Sequence, residues 1–363
     1  MKILIFGPKE PIGGVEAVAL SYAKHLIAYG CKCDFLLYEN FPGLEKMITD
    51  IGGTVIHAAS RRTNYTQYKT DLDNIFKTKY DAVWCNFSGL TNIDLLKLAK
   101  KAGVPVRIAH SHTSGLSWGN PLMRILVPLM HYTNKTVIGR YANELWACSQ
   151  KAGRFMYPKK LWHKIKVWNN AVDLTVLYPD NALRTQTRQV LEIEDKLVIG
   201  HIGRICREKN QRFLLNVYKE FLNYNNAHLI FLSDAPNDEI VNFAKELGIE
   251  NKITFLTGKQ NLASLYNAMD VFLLPSLVEG LGLTAIEAQA CGVPCVVSTG
   301  VSQEGNITGF VDYISLESDY SVWCDALESA STKRIKNPKE LIIRNKYDII
   351  TESEKMYAFF TTK

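Results

Sequence analysis

No stretch of the 363 residues approaches the roughly 20 consecutive apolar residues that a membrane-spanning helix requires. A charged-then-apolar leader is missing at Met1 as well: KILIFG is only strand length and runs into a loop and helix pattern, so no targeting segment is expected there. The eight cysteines, Cys31, Cys33, Cys85, Cys148, Cys206, Cys291, Cys295 and Cys324, lack the paired spacings of a zinc site and lie mostly in apolar strand or helix contexts. They are expected to be buried free thiols in a reducing cytoplasm. The sparse hydrophobic content of a disordered chain is not found either. With 47% hydrophobic and 21% charged residues, the chain suffices for two domains with ordinary cores.

Acid is the residue type missing most unevenly. No Asp or Glu occurs from Leu95 to Asn143, a stretch that holds Arg107, Arg124, Lys135 and Arg140. Residues 1–170 carry 23 Lys and Arg against 11 Asp and Glu, and the rest 19 against 25, so the net charge of +6 hides a basic first half at +12 and an acidic second at −6. Within the acid-free stretch Leu122, Ile125, Leu126, Leu129 and Met130 recur at spacings of three and four, the mark of a helix face. Two readings stay open for that helix. It could pack into its domain, or it could be the basic, apolar face on which a cytoplasmic, peripheral enzyme rests against the anionic inner face of the plasma membrane and meets a lipid diphosphate. Nucleic acid is not expected as a partner, because the basic residues are scattered without interleaved aromatics or a helix-turn-helix pattern.

What the chain does contain is an alternation of strands and helices, twice over. After KILIFG come a loop, PKEPIGGVE, and a helix from about Ala17 to Tyr29. Strand patterns then follow near Cys33 to Tyr38, Thr54 to His57, Ala82 to Asn86, Val106 to Ala109, Glu144 to Cys148 and Ile165 to Val167. The pattern restarts with Lys196 to Ile202 and continues through His228 to Leu232, Ile253 to Leu256, Val271 to Leu274 and Pro294 to Ser298. An α/β chain with two Rossmann-like, doubly wound domains is expected: 1–172, a linker over 173–195 where the strand pattern lapses around Pro179, and 196–345. Tyr347 to Phe360 reads as a closing helix within 346–363.

The most informative stretch is VFLLPSLVEGLGLTAIEAQACGVP, Val271 to Pro294. An apolar strand meets Pro275, Gly280 and Gly282, a helix runs from about Thr284 to Cys291, and Gly292 and Pro294 end it. Such a glycine loop aims unpaired amides and the positive helix end at the carboxyl edge of a parallel sheet, where α/β folds bind ligands. Two acids sit there. Thr284-Ala-Ile-Glu287 fits a capping box and Glu279 a solvated loop charge, but both could equally face a ligand. Gly203-Arg204-Ile-Cys-Arg207-Glu-Lys209-Asn210, after the first strand of the second domain, reads from its residues either as a solvated loop or as a diphosphate clamp, with Asn210 free to cap the next helix.

The segment PSLVEGLGLTAIEAQACGVPCVVS resembles the signature of the retaining glycosyltransferases of family 4, which share the GT-B architecture of two domains facing a central cleft. That resemblance implies a metal-independent enzyme without a cofactor, acting on a nucleotide-sugar donor, most simply a UDP-sugar. It implies that Glu279 meets the donor sugar, Glu287 the ribose hydroxyls, and Arg204 and Lys209 the diphosphate together with the amides of Gly282 and Leu283. It implies further that Gly13 and Gly14, which do not match a dinucleotide fingerprint, face the donor phosphates and sugar. His112, with His110 as the other candidate, matches the family histidine near the sugar, and the closing helix is expected to cross back onto the first domain. No residue stands out as a covalent nucleophile. The resemblance also implies retention by attack on the leaving-group face, with a donor phosphate oxygen taking the acceptor's proton. Asp71-Leu-Asp73 has the spacing of a metal-binding Asp-x-Asp, yet it sits in the polar helical segment TQYKTDLDNIFKTKY and is read as surface charge.

GVSQEGNITGFVDYISLESDYSVW resembles bacterial members that build capsular or exopolysaccharide repeat units, which implies a hexosyl or N-acetylhexosaminyl transferase with a lipid-linked saccharide acceptor. One departure stands out: Ser233-Asp234-Ala235-Pro236 replaces the family's Gly-Asp-Gly-Pro. That loop favours a non-catalytic accessory subunit as the alternative reading, with a sugar-nucleotide epimerase as a second.

Overall fold

The computed structural model describes residues 1–10, 13–116, 122–236, 238–258 and 260–362. They form two compact units, Met1–Ala171 with Ile349–Lys363, and Val172–Asp348.

In the first unit the strands are β1 (Lys2–Phe6), β2 (Lys32–Leu37), β3 (Thr54–His57), β4 (Ala82–Phe87), β5 (Val106–Ser111), β6 (Glu144–Ala147) and β7 (Ile165–Val167), all parallel, in the order β3-β2-β1-β4-β5-β6-β7. β4 is buried along its whole length, as its continuously apolar start dictates for a strand covered on both faces. The order reverses between β1 and β4, so the crevice beyond their carboxyl ends is where this unit should take a ligand. Gly7, just past β1, has φ +122, and a Cβ there would stand 2.4 Å from the Asn86 carbonyl, so only glycine lets the two chain segments approach. The C-terminal helix Ile349–Thr361 belongs to this unit, with Tyr357 against Tyr29 at 5.3 Å and Phe359 edge-on to the buried Trp146 at 5.3 Å.

In the second unit β8 (Leu197–Ile202), β9 (Ala227–Ser233), β10 (Ile253–Thr257), β11 (Val271–Leu274), β12 (Cys295–Ser298) and β13 (Val311–Ile314) form a parallel sheet ordered β10-β9-β8-β11-β12-β13. Its switch point falls between β8 and β11, the two strands that the Arg204 and Glu279 loops follow. β13 was not visible in the sequence pattern, because VDYI is an edge strand with a solvated Asp312 and no continuous apolar run.

The segment 173–195, expected as a linker, is corrected: it contains the helix Asn181–Val190, which is fastened to the second unit. Arg184 and Arg188 both meet Asp270, at 2.5 and 3.2 Å, and Asp270 also accepts the Val198 amide at 2.7 Å. The reason is electrostatic rather than a hydrophobic period, so the strand and helix templates passed over it. Asp270→Ala would leave two guanidinium groups partly buried without their carboxylate. Because the pair retains some solvent access, we expect a loss of about 2 kcal/mol rather than the full cost of breaking a buried pair, measurable by denaturant unfolding.

The boundaries of the other elements follow their sequence patterns to within a few residues. All eight cysteines are free thiols, seven buried and Cys206 partly exposed. Asp71 lies on the helix Tyr65–Ile75, where it accepts the Ala59 amide at 2.8 Å and the Gln67 side chain at 2.7 Å, so it braces the chain end of β3. Among the described residues no helix is long and apolar enough to cross a membrane.

Candidate active site

At the switch point of the second unit, β8 ends at Ile202 and the chain turns through Gly203, Arg204 and the short helical turn Arg207–Lys209 into the helix Gln211–Phe221. Gln211 donates to the Arg204 carbonyl at 2.7 Å and Asn210 to the Pro275 carbonyl at 3.2 Å, while the Leu277 amide reaches the Glu208 carbonyl at 2.7 Å. The loops after β8 and β11 are thereby joined. Asn210 stands at the start of the helix in the left-handed region, φ 56 and ψ 43, but its side chain holds the β11 loop instead of capping.

The joined loops bring Lys209 Nζ to 2.5 Å from Glu279 Oε1, with both side chains mostly buried. Lys209 lies across Gly203, where a Cβ would stand 3.3 Å from Lys209 Cε. Arg204 is exposed and makes no ion pair with a described residue. The Ser233–Pro236 loop reaches the same place, since Asp234 accepts the Ile205 amide at 3.2 Å and Ser233 closes the turn on the Ala235 carbonyl at 2.8 Å.

Gly282, φ +78, opens the helix Leu283–Ala290, and a Cβ on it would stand 3.0 Å from Val301. The capping-box alternative for Glu287 is overturned: Gly282 is the N-cap and receives no side-chain cap, and Glu287 Oε2 instead accepts the Tyr266 hydroxyl at 2.6 Å. Gly282 is the residue type that the left-handed turn requires, so the helix starts two residues ahead of Glu287's reach to its own cap. Ahead of the first intrahelical bond, in which the Ala285 amide reaches the Gly282 carbonyl at 2.9 Å, the Leu283 and Thr284 amides have no intrahelical acceptor, and Thr284 Oγ1 is buried without a hydrogen-bond partner. Burial pushes the Glu287 carboxyl up to about 7, with the Tyr266 hydroxyl and the Lys209 charge pulling back. Lys209 therefore acts on both acids, and cationic, anionic and amide groups converge at one sheet edge.

In the first unit a polar chain crosses the switch point. Asn86 donates from Nδ2 to the Phe6 carbonyl at 3.1 Å, which turns its Oδ1 to His112 Nε2 at 2.8 Å. With that oxygen as acceptor, Nε2 of His112 carries the proton and Nδ1 the lone pair. Burial holds His112 down to about 4, so the ring is neutral at ordinary pH. His110 lies 4.1 Å away, ring centre to ring centre, fully buried and accepting the Trp84 indole N–H at 3.1 Å. It is built into the interior between Trp84 and Trp146, whereas His112 stands past the end of β5 at the ligand edge. Gly13 caps the helix Gly14–Ala28, its amide donating to Glu16 Oε2 at 2.9 Å. A buried carboxylate thus already occupies the helix end that the sequence offered to phosphate. Ile12 lies outside the described residues.

Tyr266 and Asn86 were not singled out from sequence. Tyr266 carries no local signal, since it meets Glu287 only through the fold. Asn86 did offer one: a polar residue ending an apolar strand at the switch point. Among the described residues no cluster of His, Cys, Asp and Glu is placed to hold a metal ion.

Two family models match the chain, Glycosyltransferase Family 4 over residues 12–176 and Glycosyl transferases group 1 over 184–313. The chain is 28% identical to EpsF of Bacillus subtilis (strain 168) over 88% of its own length and 85% of EpsF. It is 25% identical to the UDP-Gal:alpha-D-GlcNAc-diphosphoundecaprenol alpha-1,3-galactosyltransferase of Escherichia coli over 95% of its length and 92% of that protein. HepE of Anabaena, solved with UDP and glucose, superposes with a TM-score of 0.79 at 18% identity over the whole of both chains. WaaG, a glycosyltransferase involved in lipopolysaccharide biosynthesis, does so with a TM-score of 0.72 at 15% identity, again over both chains entire. With the two family models together spanning most of the chain and full-length likeness to proteins of this fold, the chain belongs to the family 4 glycosyltransferases of GT-B architecture.

Proposed function

We propose that the chain moves a hexosyl or N-acetylhexosaminyl group from a UDP-sugar to a lipid-linked saccharide in cell-surface polysaccharide synthesis, with retention at the anomeric carbon. The observation that carries this reading is the Lys209–Glu279 ion pair at the β8/β11 switch point, within electrostatic reach of Glu287. A diphosphate laid on Lys209, Arg204 and the Leu283 amide leaves Glu279 for sugar hydroxyls and Glu287 for ribose hydroxyls. The similarity to a galactosyltransferase named for UDP-Gal and a diphosphoundecaprenol acceptor supports both substrate classes.

As the bond from the anomeric carbon to the phosphate oxygen breaks, the acceptor oxygen bonds to that carbon on the same face. The acceptor's proton passes to the departing oxygen. Fixed cations and amides stabilise the growing negative charge without reorganising, which is the main catalytic contribution asked of the protein. Because these groups already supply that charge, the reaction is expected to proceed in EDTA. Acceptors of this class place the enzyme in the cytoplasm at the inner face of the membrane.

The test is the thermal midpoint with UDP, GDP and ADP. Ligand at about 100 times its dissociation constant stabilises by about 2.7 kcal/mol, so one nucleotide should raise the midpoint by a few degrees, and Lys209→Ala or Glu287→Ala should abolish the rise. No response to any nucleotide would remove the foundation of this reading. The Ser233–Pro236 loop favours a second, that of an accessory subunit without turnover, which nucleotide binding with no transfer to any acceptor would support.

A further inference from the structure

The strand β8 carries one polar side chain, His201, and buries it fully on an inner strand of the second sheet. An apolar residue would fill that place at less cost, since a buried polar group is stable only where its polar atoms are paired. The ring lies between Phe231, 5.2 Å away centre to centre, and Phe272, nearly parallel at 6.5 Å. Its Nδ1 stands 3.0 Å from the Leu273 carbonyl, which can only accept, so Nδ1 carries the proton and Nε2 the lone pair. Burial lowers the ring to about 4, with the Lys209 charge acting in the same sense, so the imidazole is neutral at ordinary pH. The fold thus accounts for Nδ1 only. Nε2 is buried without a hydrogen-bond partner.

That lone pair lies under the candidate active site. A Cβ on Gly203 would stand 3.5 Å from His201 Nε2, 3.3 Å from Lys209 Cε and 3.4 Å from Lys209 Cδ, so the bare glycine leaves imidazole and lysine stem facing one spot. The Lys209 ammonium begins one bond beyond Cε and is turned to Glu279 Oε1 at 2.5 Å. It has three N–H donors, which a single carboxylate oxygen does not use up. The two acceptors differ in what they do to it. A carboxylate orients the ammonium and cancels its charge, whereas a neutral imidazole orients it and leaves the charge whole.

We propose that His201 is a positioning residue for Lys209, whose ammonium gives one N–H to His201 Nε2 once a nucleoside diphosphate is bound. Glu279 then shares its oxygens with ligand hydroxyls, and the undiminished charge of Lys209 stays fixed against the phosphate oxygens. His201 touches no ligand and moves no proton. The inference rests on the donor reading above and extends it to a group that supports the diphosphate clamp from within the sheet.

The experiment is a double-mutant cycle in which calorimetry measures the affinity of UDP for wild type, His201→Phe, Lys209→Ala and the two combined. His201→Phe keeps a ring between Phe231 and Phe272 and removes the lone pair, so UDP should bind about tenfold more weakly. In the Lys209→Ala background the same change should cost less than about twofold, because His201 has no ammonium left to hold. His201→Gln, which offers an amide oxygen near the place of Nε2, should recover part of the loss where Lys209 is present. The imidazole also reports directly: the NMR resonance of His201 Nε2 should move upfield when UDP binds to wild type and stay in place in Lys209→Ala. Equal losses in the two backgrounds, or an Nε2 resonance that UDP leaves unmoved in wild type, would overturn the inference while the donor reading stands. No response of wild type to UDP, GDP or ADP would remove both. Should His201→Phe melt well below wild type, His201→Leu replaces it in the cycle and the resonance decides independently.

Discussion

Lys209→Ala is expected to lower turnover about 10²- to 10³-fold at saturating donor, the range seen when a single pre-placed charge-stabilising donor is removed from an active site. In the free protein the Lys209 ammonium and the Glu279 carboxylate neutralise one another at 2.5 Å. An ammonium has three donors, so it can keep Glu279 and still meet a phosphate oxygen. The diphosphate's charge grows as the glycosyl bond breaks, and a fixed cation is worth most there. Removing Lys209 does harm twice, because Glu279 also loses its ammonium partner and stands as a mostly buried carboxylate beside an anionic ligand. Lys209→Ala/Glu279→Gln should therefore recover nucleotide affinity relative to the single variant while turnover stays low. Turnover and UDP affinity measured side by side separate the two effects. A single variant within about tenfold of wild type would remove Lys209 from the role given to it.

The same geometry limits substitution. Lys209 lies over the bare Gly203 backbone, so Gly203→Ala crowds its side chain, and arginine would place a rigid fork where a thin methylene stem now passes. This contact explains why a loop readable as an ordinary solvated turn behaves as a positioned element. From sequence, Arg204 and Lys209 looked alike. The structure brings Lys209 against Glu279 and leaves Arg204 exposed, a distinction that depends on how Asn210 and Leu277 tie the β8 and β11 loops.

The inner strands of the sheets were legible because they are buried on both faces and read as unbroken apolar runs, as in VFLL of β11 and CVV of β12. What escaped was held by contacts with no period. The helix Asn181–Val190 is fastened by two arginines on Asp270, and β13 is a partly solvated edge strand. At the site, the acids and the lysine stood in loops whose glycines announce close approach, so their positions were readable. Their partners were not, since Tyr266 and Asn86 come to Glu287 and His112 from elsewhere in the sequence. The helix at Met123 shows the reverse case: its period was plain, but periodicity gives a stripe without saying which way it faces.

Nucleotide affinity is expected to rise with pH between 6 and 8 and then level. Burial raises the Glu287 carboxyl to about 7, so near neutrality about half the free molecules hold it protonated. Ribose hydroxyls donate to the ionised form, so binding selects the carboxylate and releases a proton. At pH 6 the affinity should lie about tenfold below its plateau. Glu287→Gln should bind weakly at every pH with no such slope. Tyr266→Phe removes a donor that favours the carboxylate, so it should move the midpoint of the profile upward, an effect that a merely structural tyrosine would not produce.

The unliganded protein should respond to pH in the opposite sense. A carboxyl whose folded value lies above its ordinary 4.5 binds more protons folded than unfolded between 4.5 and about 7, so its contribution to stability is present at low pH and lost as pH rises through that window. At pH 8, without nucleotide, Glu287→Gln should therefore melt higher than wild type, and saturating UDP should reverse the order. If wild type is the more stable at pH 8 with the nucleotide left out, Glu287 is not held against its own desolvation, and the slope in affinity must come from another group.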